Sequence, residues 1–354
     1  MQTVEDKIFL TQYAHGAGCG CKIAPQVLEE ILHSDTAQPA DKNLLVGNKT
    51  NDDAAVYDLG NGKGLIATTD FFMPIVDDAY DFGRVAAANA ISDVYAMGGT
   101  PTLALAILGW PVNKLPVPLA KQVLEGARAI CVEAGISLAG GHSIDTLEPM
   151  FGLSVNGLID LENLKKNSTS REGDLIFMTK PLGTGILSTA QKRKVLTDED
   201  QTLLIKQLTQ LNAIGEKLGK IKGVNAMTDI TGFGLLGHLL EMAEGSGLSA
   251  QINYSLLPKI PSVAQYIKLT MIPDATYRNW NAYSKKVFFD SDVDAMEAFS
   301  LLPDPQTNGG LLFSVEEKAA KEVIVLLQGN GYGEFVKPIG HMEKRGDKVL
   351  KVLK

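Results

Sequence analysis

The stretch ENLKKNSTSREG, residues 162–173, divides this sequence into two parts. Most of its residues are polar or charged, which is typical of the exposed segments that join domains. The chain has 354 residues, and that length suits two domains of ordinary size better than one. The sequence therefore predicts a two-domain protein of the α/β (α+β) class.

On the N-terminal side of this stretch, short apolar runs predict strands and periodic apolar residues predict helices. The predicted strands are 54–57, 64–68, 103–108 and 151–159, and the predicted helices are 82–97 and 119–134. Pro25 suits the first turn of a further helix. We expect residues 25–161 to form an N-terminal domain that combines a mixed sheet with helices.

On the C-terminal side, the same patterns predict a second unit from residue 173 to residue 354. Its predicted strands lie near 175–179, 310–315 and 334–339, and its predicted helices lie near 200–218 and 235–243. We expect these elements to form a C-terminal α/β domain.

The charge of the chain argues against nucleic acid as a partner. There are 33 lysines and arginines against 41 aspartates and glutamates, a formal net charge of −8, so no overall positive field attracts a polyanion. The first residues are acidic where a signal peptide is basic, and no apolar run approaches the roughly 18 residues of a membrane span. We expect a cytoplasmic protein without a membrane partner.

Three cysteines, at positions 19, 21 and 131, are too few for a disulfide framework and suit a reducing compartment. Cys131 lies in the predicted helix 119–134, where a small buried thiol is expected.

Residues 1–24 show little periodicity, and we expect them to form a mobile loop segment. The run GAGCGCK, residues 16–22, has three glycines, which let backbone N–H groups converge on a phosphate, and Lys22 adds a point charge. The run is not a Walker A loop, which would need Gly in place of Cys21 and Ser or Thr in place of Ile23. The alternative is a flexible, solvent-exposed terminus.

Cys19 and Cys21 make this loop chemically more specific. An exposed thiol beside a lysine has a lowered pKa, and it becomes a good nucleophile or a ligand for a soft element. A metal bound by the CxC pair is the alternative, but a structural zinc site needs four ligands and no others lie nearby in the sequence.

Aspartates recur near the ends of predicted strands and within one predicted helix. Asp52 and Asp53 precede a strand, Asp70 follows one, Asp93 lies one helical turn after Asn89, and a further aspartate opens the motif DITGFG at position 229. Such carboxylates are what Mg²⁺ requires, together with substrate phosphates. Each aspartate taken singly is equally well a cap or turn residue.

Two further features remain ambiguous. Gly140, Gly141, His142 and Ser143 suit either a close backbone approach to a ligand or a tight turn after the strand 137–139. His238 lies within a predicted helix and is more often a hydrogen-bonded helix residue than a catalyst.

Taken together, these motifs resemble the bacterial selenophosphate synthetase family, in the same order along the chain. The matching motifs are HGAGCGCK (15–22), NDDAAVY (51–57), TTDFF (68–72), ANAISDVYAMGG (88–99), LAGGHS (138–143), DITGFGLLGHL (229–239) and QTNGGLL (306–312). The wider superfamily of aminoimidazole ribonucleotide synthetase shares NDDAAV and TGFG, whereas the GxGCGCK loop is specific to this branch. The resemblance implies a two-domain fold of that superfamily.

The resemblance also implies a reaction in which ATP, selenide and water give selenophosphate, AMP and phosphate. It implies that Cys19 and Lys22 are catalytic and that Lys22 also contacts phosphate. The implied Mg²⁺ ligands are Asp53, Asp93 and Asp229, and the implied nucleotide contacts are Thr50, Asn51, Asp52, Asp70, Asp93, Gly141, His142 and Ser143. Members of the family are homodimers.

Two other functions remain open from the sequence. One is another ATP-dependent kinase or ligase of the same superfamily that makes ADP, which has no evident need of the CxCK loop. The other is a non-catalytic carrier of selenium or metal that uses Cys19 and Cys21, and it should not consume ATP.

Overall fold

The computed structural model describes residues 8–23, 25–32, 41–47 and 52–354, so Thr50 and Asn51 lie outside the described residues. The helices of the described part are α1 Pro25–Leu32, α2 Ala79–Ala96, α3 Val117–Glu133, α4 Thr184–Lys192, α5 Asp198–Thr209, α6 Ile214–Gly219, α7 Gly234–Gly245, α8 Val263–Lys268, α9 Asp274–Tyr283, α10 Ala295–Leu301 and α11 Ala320–Gly329. Its strands are β1 Leu44–Val46, β2 Ala55–Asp58, β3 Lys63–Phe72, β4 Thr100–Trp110, β5 Ser137–Asp145, β6 Met150–Asp160, β7 Leu175–Met178, β8 Val224–Asp229, β9 Leu248–Asn253, β10 Val287–Phe289, β11 Leu311–Val315, β12 Gly340–Lys344 and β13 Leu350–Leu353.

The first sheet has the strand order β1-β2-β3-β6-β4-β5. Its pairs are antiparallel except β4 and β5, which run parallel because the long helix α3 connects them. Val56, Ile66, Leu153, Val155 and Ala104 are buried on one face of this sheet. The pattern of alternate buried residues shows that the core lies on that face alone.

The second sheet has the strand order β10-β13-β9-β12-β7-β11-β8. Its strand β13 runs parallel to both β9 and β10, and its other pairs are antiparallel. The strand β11 is buried along its whole length, from Leu311 to Val315, because it lies between β7 and β8 and is covered on both faces.

Helix α2 lies at the centre of the molecule and contacts both units. It packs on α3 and β6 on one side, and on α5, α6 and β8 on the other. Every residue from Val85 to Ala96 is buried, and five of them are alanines, whose small side chains let the neighbouring elements approach closely. Polar residues on this helix therefore face protein rather than water, which matters for the site below.

The structure confirms most of the predicted elements, including the helix that begins at Pro25. Three predictions are wrong. The predicted strand 334–339 is a short 3₁₀ helix, Gly333–Phe335, and a loop, and the strand begins only at Gly340, after Pro338 has removed a backbone donor.

The predicted helix 200–218 is two helices, α5 and α6. The chain breaks at Gln210 because the side chains of Lys180 and Asn308 bind its carbonyl oxygen at 2.7 and 2.9 Å. The tight turn considered at Gly140 to Ser143 is also wrong, since these residues continue the strand β5.

No helix in the described part of the chain is both long enough and apolar enough to cross a membrane.

The contact between α2 and α3 gives a test of the packing. A Cβ atom added at Gly83 would lie 1.8 Å from the carbonyl oxygen of Val123, a backbone atom that cannot move aside without shifting a helix. We expect Gly83→Ala to lower the free energy of unfolding by about 1–3 kcal/mol. Gly329→Ala is the matched control, because nothing lies within 4 Å of a Cβ there. Equal stability of the two variants in urea would contradict this packing.

Candidate active site

Three aspartates from distant parts of the chain meet beside helix α2. Asp53 precedes β2, Asp93 lies on α2, and Asp229 ends β8. Each offers a carboxylate oxygen that lies within 4.8 Å of the other two. The structure therefore brings together the three residues that the family resemblance implies as Mg²⁺ ligands.

Hydroxyl groups orient each of these carboxylates. Thr228 donates to Asp53 Oδ1 at 2.7 Å, Thr68 donates to Asp93 Oδ2 at 2.5 Å, and Ser92 donates to Asp229 Oδ2 at 2.5 Å. Ser92 in turn accepts from Asn212 Nδ2 at 2.8 Å, so the chain of hydrogen bonds extends into the core. These partners are held by β3, β8 and α2, and the carboxylates have little freedom to turn.

Burial and mutual repulsion disfavour the charged forms of the three aspartates. Burial, and then the charge of Asp229, raises the pKa of Asp53 well above its usual range. Burial, followed by the charge of Asp70, does the same to the pKa of Asp93. Burial raises the pKa of Asp229 to about 6, although the Ser92 hydrogen bond and the Lys22 ammonium oppose the shift. Without a cation the cluster is therefore electrostatically unfavourable at neutral pH.

The donor set fits a hard divalent cation. All of the candidate ligands are carboxylate oxygens, which Mg²⁺ prefers. The second oxygen of Asp53, Oδ2, is buried and has no hydrogen-bond partner among the described residues, although an oxygen of this kind normally has one. A cation at the centre of the cluster would satisfy it.

Asp70 and Asp52 lie at the edge of this cluster. Asp70 Oδ2 accepts from Asn89 Nδ2 at 2.6 Å, and its charge contributes to the raised pKa values of Asp93 and Asp229. Asp52 Oδ1 accepts from the backbone N–H of Asn167 at 2.8 Å. Both side chains are half-buried, so each retains access to solvent or to a ligand.

The glycine-rich loop reaches the same region from the N-terminal end. Residues Gly18–Cys21 form one turn of 3₁₀ helix, and the side chains of Cys19 and Cys21 lie outside what the structure describes. Gly18 has a φ of +50°, and a Cβ there would lie 2.5 Å from Thr307 Oγ1. Only glycine fits this approach without displacing its neighbours.

Lys22 is the loop residue whose side chain is placed against the site. Its Nζ donates to Thr231 Oγ1 at 3.4 Å and lies 5.8 Å from the centre of the Phe233 ring. Its charge lowers the pKa of Asp229, so the ammonium acts electrostatically on the carboxylate cluster. The structure therefore places a positive charge from the loop beside the three acids.

Behind Lys22 lies a buried network that the sequence did not reveal. Thr231 N–H donates to His238 Nε2 at 3.1 Å, and burial, with the Lys22 charge, lowers the pKa of His238 to about 3. The imidazole is therefore neutral, and its Nδ1 faces Glu241 at 3.5 Å. His238 is a hydrogen-bonded helix residue, in agreement with the more conservative of the two interpretations.

Lys180 was also missed, and it is fully buried. Its Nζ donates to the carbonyl oxygens of Gln210 and Asn308 at 2.7 and 2.8 Å, and burial lowers its pKa to about 7. Asn308 belongs to the QTNGGLL motif, and its backbone N–H donates to Asn89 Oδ1 at 2.7 Å. A lysine two residues after the apolar strand β7 was the only signal that the sequence gave for Lys180.

Gly141, His142 and Ser143 lie apart from the carboxylates. They are exposed on β5, three strands from β3 in the sheet order, a separation of about 14 Å. A Cβ at Gly141 would lie 2.2 Å from the carbonyl oxygen of Ala106, which explains this glycine by strand packing. One copy of the chain does not bring these residues to the cluster.

Comparison with known proteins agrees with this geometry. Residues 51–159 match the family model "AIR synthase related protein, N-terminal domain", and residues 171–353 match "AIR synthase related protein, C-terminal domain". The chain is 56% identical to the selenide, water dikinase of Escherichia coli strain K12, over 90% of this chain and 91% of that protein.

Solved structures show the same fold at low identity. A thiamine monophosphate kinase from Aquifex aeolicus is 18% identical, with a TM-score of 0.63 over 92% of this chain and 94% of that one. The hydrogenase maturation protein HypE in complex with ATP is 17% identical, with a TM-score of 0.65 over 94% and 88%. The identity and coverage together place this chain in the selenide, water dikinase family of AIR synthase related proteins.

Proposed function

We propose that this chain is an ATP-dependent enzyme that makes selenophosphate from selenide and water and releases AMP and phosphate. The observation that carries the proposal is the 56% identity to curated selenide, water dikinases over nine-tenths of the chain. The geometry supports the phosphoryl half of this chemistry, because three oriented carboxylates lie together and the charge of Lys22 acts on one of them. An ADP-forming kinase is not favoured at this level of identity.

The residues of the site suit the handling of a triphosphate. Phosphoryl transfer depends on positioning and on neutralising charge more than on covalent chemistry by the protein. We assign Asp53, Asp93 and Asp229 as Mg²⁺ ligands, and the bound Mg²⁺ supplies neutralisation of phosphate charge and polarisation of phosphoryl oxygens. Lys22 adds a compact positive charge from the loop, held by Thr231.

Thr50, Asn51, Asp52, Asp70 and Asp93 are proposed to contact the nucleotide, together with Lys22 and the group Gly141, His142 and Ser143. Asp52 and Asp70 are half-buried at the rim of the cluster, where phosphate and its metal would lie.

Cys19 is proposed as the nucleophilic thiol, because it lies three residues from Lys22 on the same loop. We retain 25–161 and 173–354 as the two domains, preceded by the loop segment 1–24.

A homodimer in the cytoplasm completes the proposal. The face of the first sheet that is turned away from α2 carries exposed apolar side chains, which are Tyr57, Phe71, Leu103, Leu105 and Leu158. A contiguous apolar face of this kind marks an interaction surface, and a second copy related by a two-fold axis would cover it. Such a pairing also offers a route by which β5 residues could reach the site of another copy.

The pairing can be tested by placing a charge on that face. Phe71 is 52% exposed, so Phe71→Asp should leave the monomer folded and convert a dimer to a monomer in sedimentation velocity. Val325→Asp, at a 60% exposed position on α11, is the control and should remain dimeric. A wild-type chain that sediments as a monomer would exclude the proposed homodimer.

The reaction itself is tested by ³¹P NMR of the products formed from ATP and Mg²⁺ with and without selenide. We expect AMP, phosphate and a selenophosphate resonance that depends on selenide. ADP as the final product would indicate the kinase alternative, and unchanged ATP would indicate a carrier.

Loop variants in the same assay test the assigned roles. Cys19→Ser should abolish selenophosphate formation because an alcohol is a far weaker soft nucleophile, whereas Cys21→Ser should retain much of it.

Lys22→Ala should remove catalysis with the fold intact, and Lys22→Arg should restore it only in part because a planar guanidinium places its charge differently. Wild-type rates in Lys22→Ala would remove this residue from the site.

The metal assignment predicts a pH-dependent stabilisation by Mg²⁺. The pKa of Asp229 is about 6 in the folded chain, against an ordinary value of 3.8. The protonated side chain therefore stabilises the folded chain at low pH, and this contribution to the free energy of unfolding is lost as the pH rises through about 4 to 6. Mg²⁺ binds the ionised cluster and should restore that stability. The Mg²⁺-induced rise in melting temperature should therefore be larger at about pH 7 than at about pH 5.

Asp229→Asn should abolish most of this rise, whereas Asp347→Asn, an exposed loop residue, should not change it. A Mg²⁺ effect that is independent of pH and equal in both variants would contradict the assignment.

A further inference from the structure

The segment that carries the reactive loop is held from both sides by charged side chains. Toward the first sheet, Glu148 accepts hydrogen bonds from the backbone N–H of His15 at 3.1 Å and from His15 Nδ1 at 2.9 Å. The backbone N–H of Gly18 also donates to the carbonyl oxygen of Met73 at 3.1 Å. These contacts fix the segment on one side only.

The opposite side is held by two cations from the second unit. Lys192, the last residue of α4, directs its Nζ at three successive carbonyl oxygens, those of Ala14 at 2.9 Å, His15 at 3.4 Å and Gly16 at 3.3 Å. Arg278, on α9, donates from Nη2 to the carbonyl oxygen of Gly20 at 2.8 Å. The two cations therefore bind the segment at both ends of the glycine-rich run.

These contacts use the full donor capacity of Lys192. An ammonium group has three N–H donors, and the three carbonyl oxygens match that number. Arg193 is its neighbour in the sequence and lines the same cavity, of about 590 Å³, but it donates to the carbonyl oxygen of Thr270 rather than to any described atom of the loop. The pattern thus distinguishes residues that hold the loop from one that merely adds positive charge nearby.

We propose that Lys192 and Arg278 are positioning residues that hold the Cys19–Lys22 loop over the carboxylate cluster. Charged donors to neutral carbonyls give hydrogen bonds that are stronger than those between neutral groups, so a few of them suffice to restrain a glycine-rich segment. With the backbone restrained at Gly16 and Gly20, Lys22 stays within reach of Thr231. Loss of either cation releases the loop and leaves the carboxylates in place.

This inference rests on the proposed function for its kinetic consequence but not for its structural one. In hydrogen exchange followed by mass spectrometry without ligands, the amides of residues 14–22 should exchange about tenfold faster in Lys192→Met and in Arg278→Met than in the wild type. Arg193→Met is the matched control, and its loop amides should exchange at the wild-type rate. Melting temperatures should be similar in all three variants, because the hydrogen bonds that each variant loses lie outside the hydrophobic core.

The kinetic readout separates positioning from general structure. Lys192→Met should lower kcat for selenophosphate formation about tenfold and raise the KM for ATP much less, because the loop with Lys22 is released while the carboxylates that bind Mg²⁺ and nucleotide are untouched. Lys192→Arg should recover part of the activity, since a guanidinium still donates to carbonyl oxygens in a different geometry.

Unchanged exchange in both Met variants would overturn the proposal. So would an equal kinetic loss in Arg193→Met, which would show that positive charge in the cavity matters and that the hydrogen bonds to the loop do not. A wild-type chain that makes no selenophosphate would overturn the proposed function instead, while the exchange experiment would still decide the role of the two cations.

Discussion

Three carboxylates held around one point repel one another, and the packing of the rest of the molecule must offset this unfavourable free energy. Their oxygens lie within 4.8 Å of one another, so at an effective dielectric constant of about 20 each fully charged pair would repel by at least about 3.5 kcal/mol. Helix α2 makes the arrangement possible, because its small apolar residues pack both sheets closely while Ser92 and Asp93 present polar atoms to the cluster. The proposed binding of a divalent cation and a triphosphate would turn this repulsion into affinity, since the ligands are already in place.

A positive charge that complements this cluster comes from the N-terminal segment of the chain. Lys22 belongs to a segment that joins neither sheet, so its position depends on side-chain contacts made with both units. Residues 14–20 bind Glu148 on one side and Lys192 and Arg278 on the other. Such a segment can be released without unfolding either core, which would suit the catalytic role proposed for the loop.

The motifs that resemble the family singled out Asp53, Asp93 and Asp229, and the structure brings these three carboxylates together, while their role as Mg²⁺ ligands stays a prediction. The sequence could not predict their hydroxyl partners Thr68 and Thr228, since a threonine in a strand gives no sign of which distant residue it faces. The break between α5 and α6 was missed for the same reason. It depends on Lys180 and Asn308 binding the carbonyl oxygen of Gln210, contacts that span 30 and 98 residues.

The burial of Cys131 has a consequence for how this protein withstands oxidants and soft electrophiles. Burial raises the pKa of its thiol to about 11, so at neutral pH the reactive thiolate is only on the order of one part in ten thousand. A thiol in that state competes poorly for selenium or peroxide. The sulfur of Cys131 is thereby protected from oxidation for as long as the core around it stays folded.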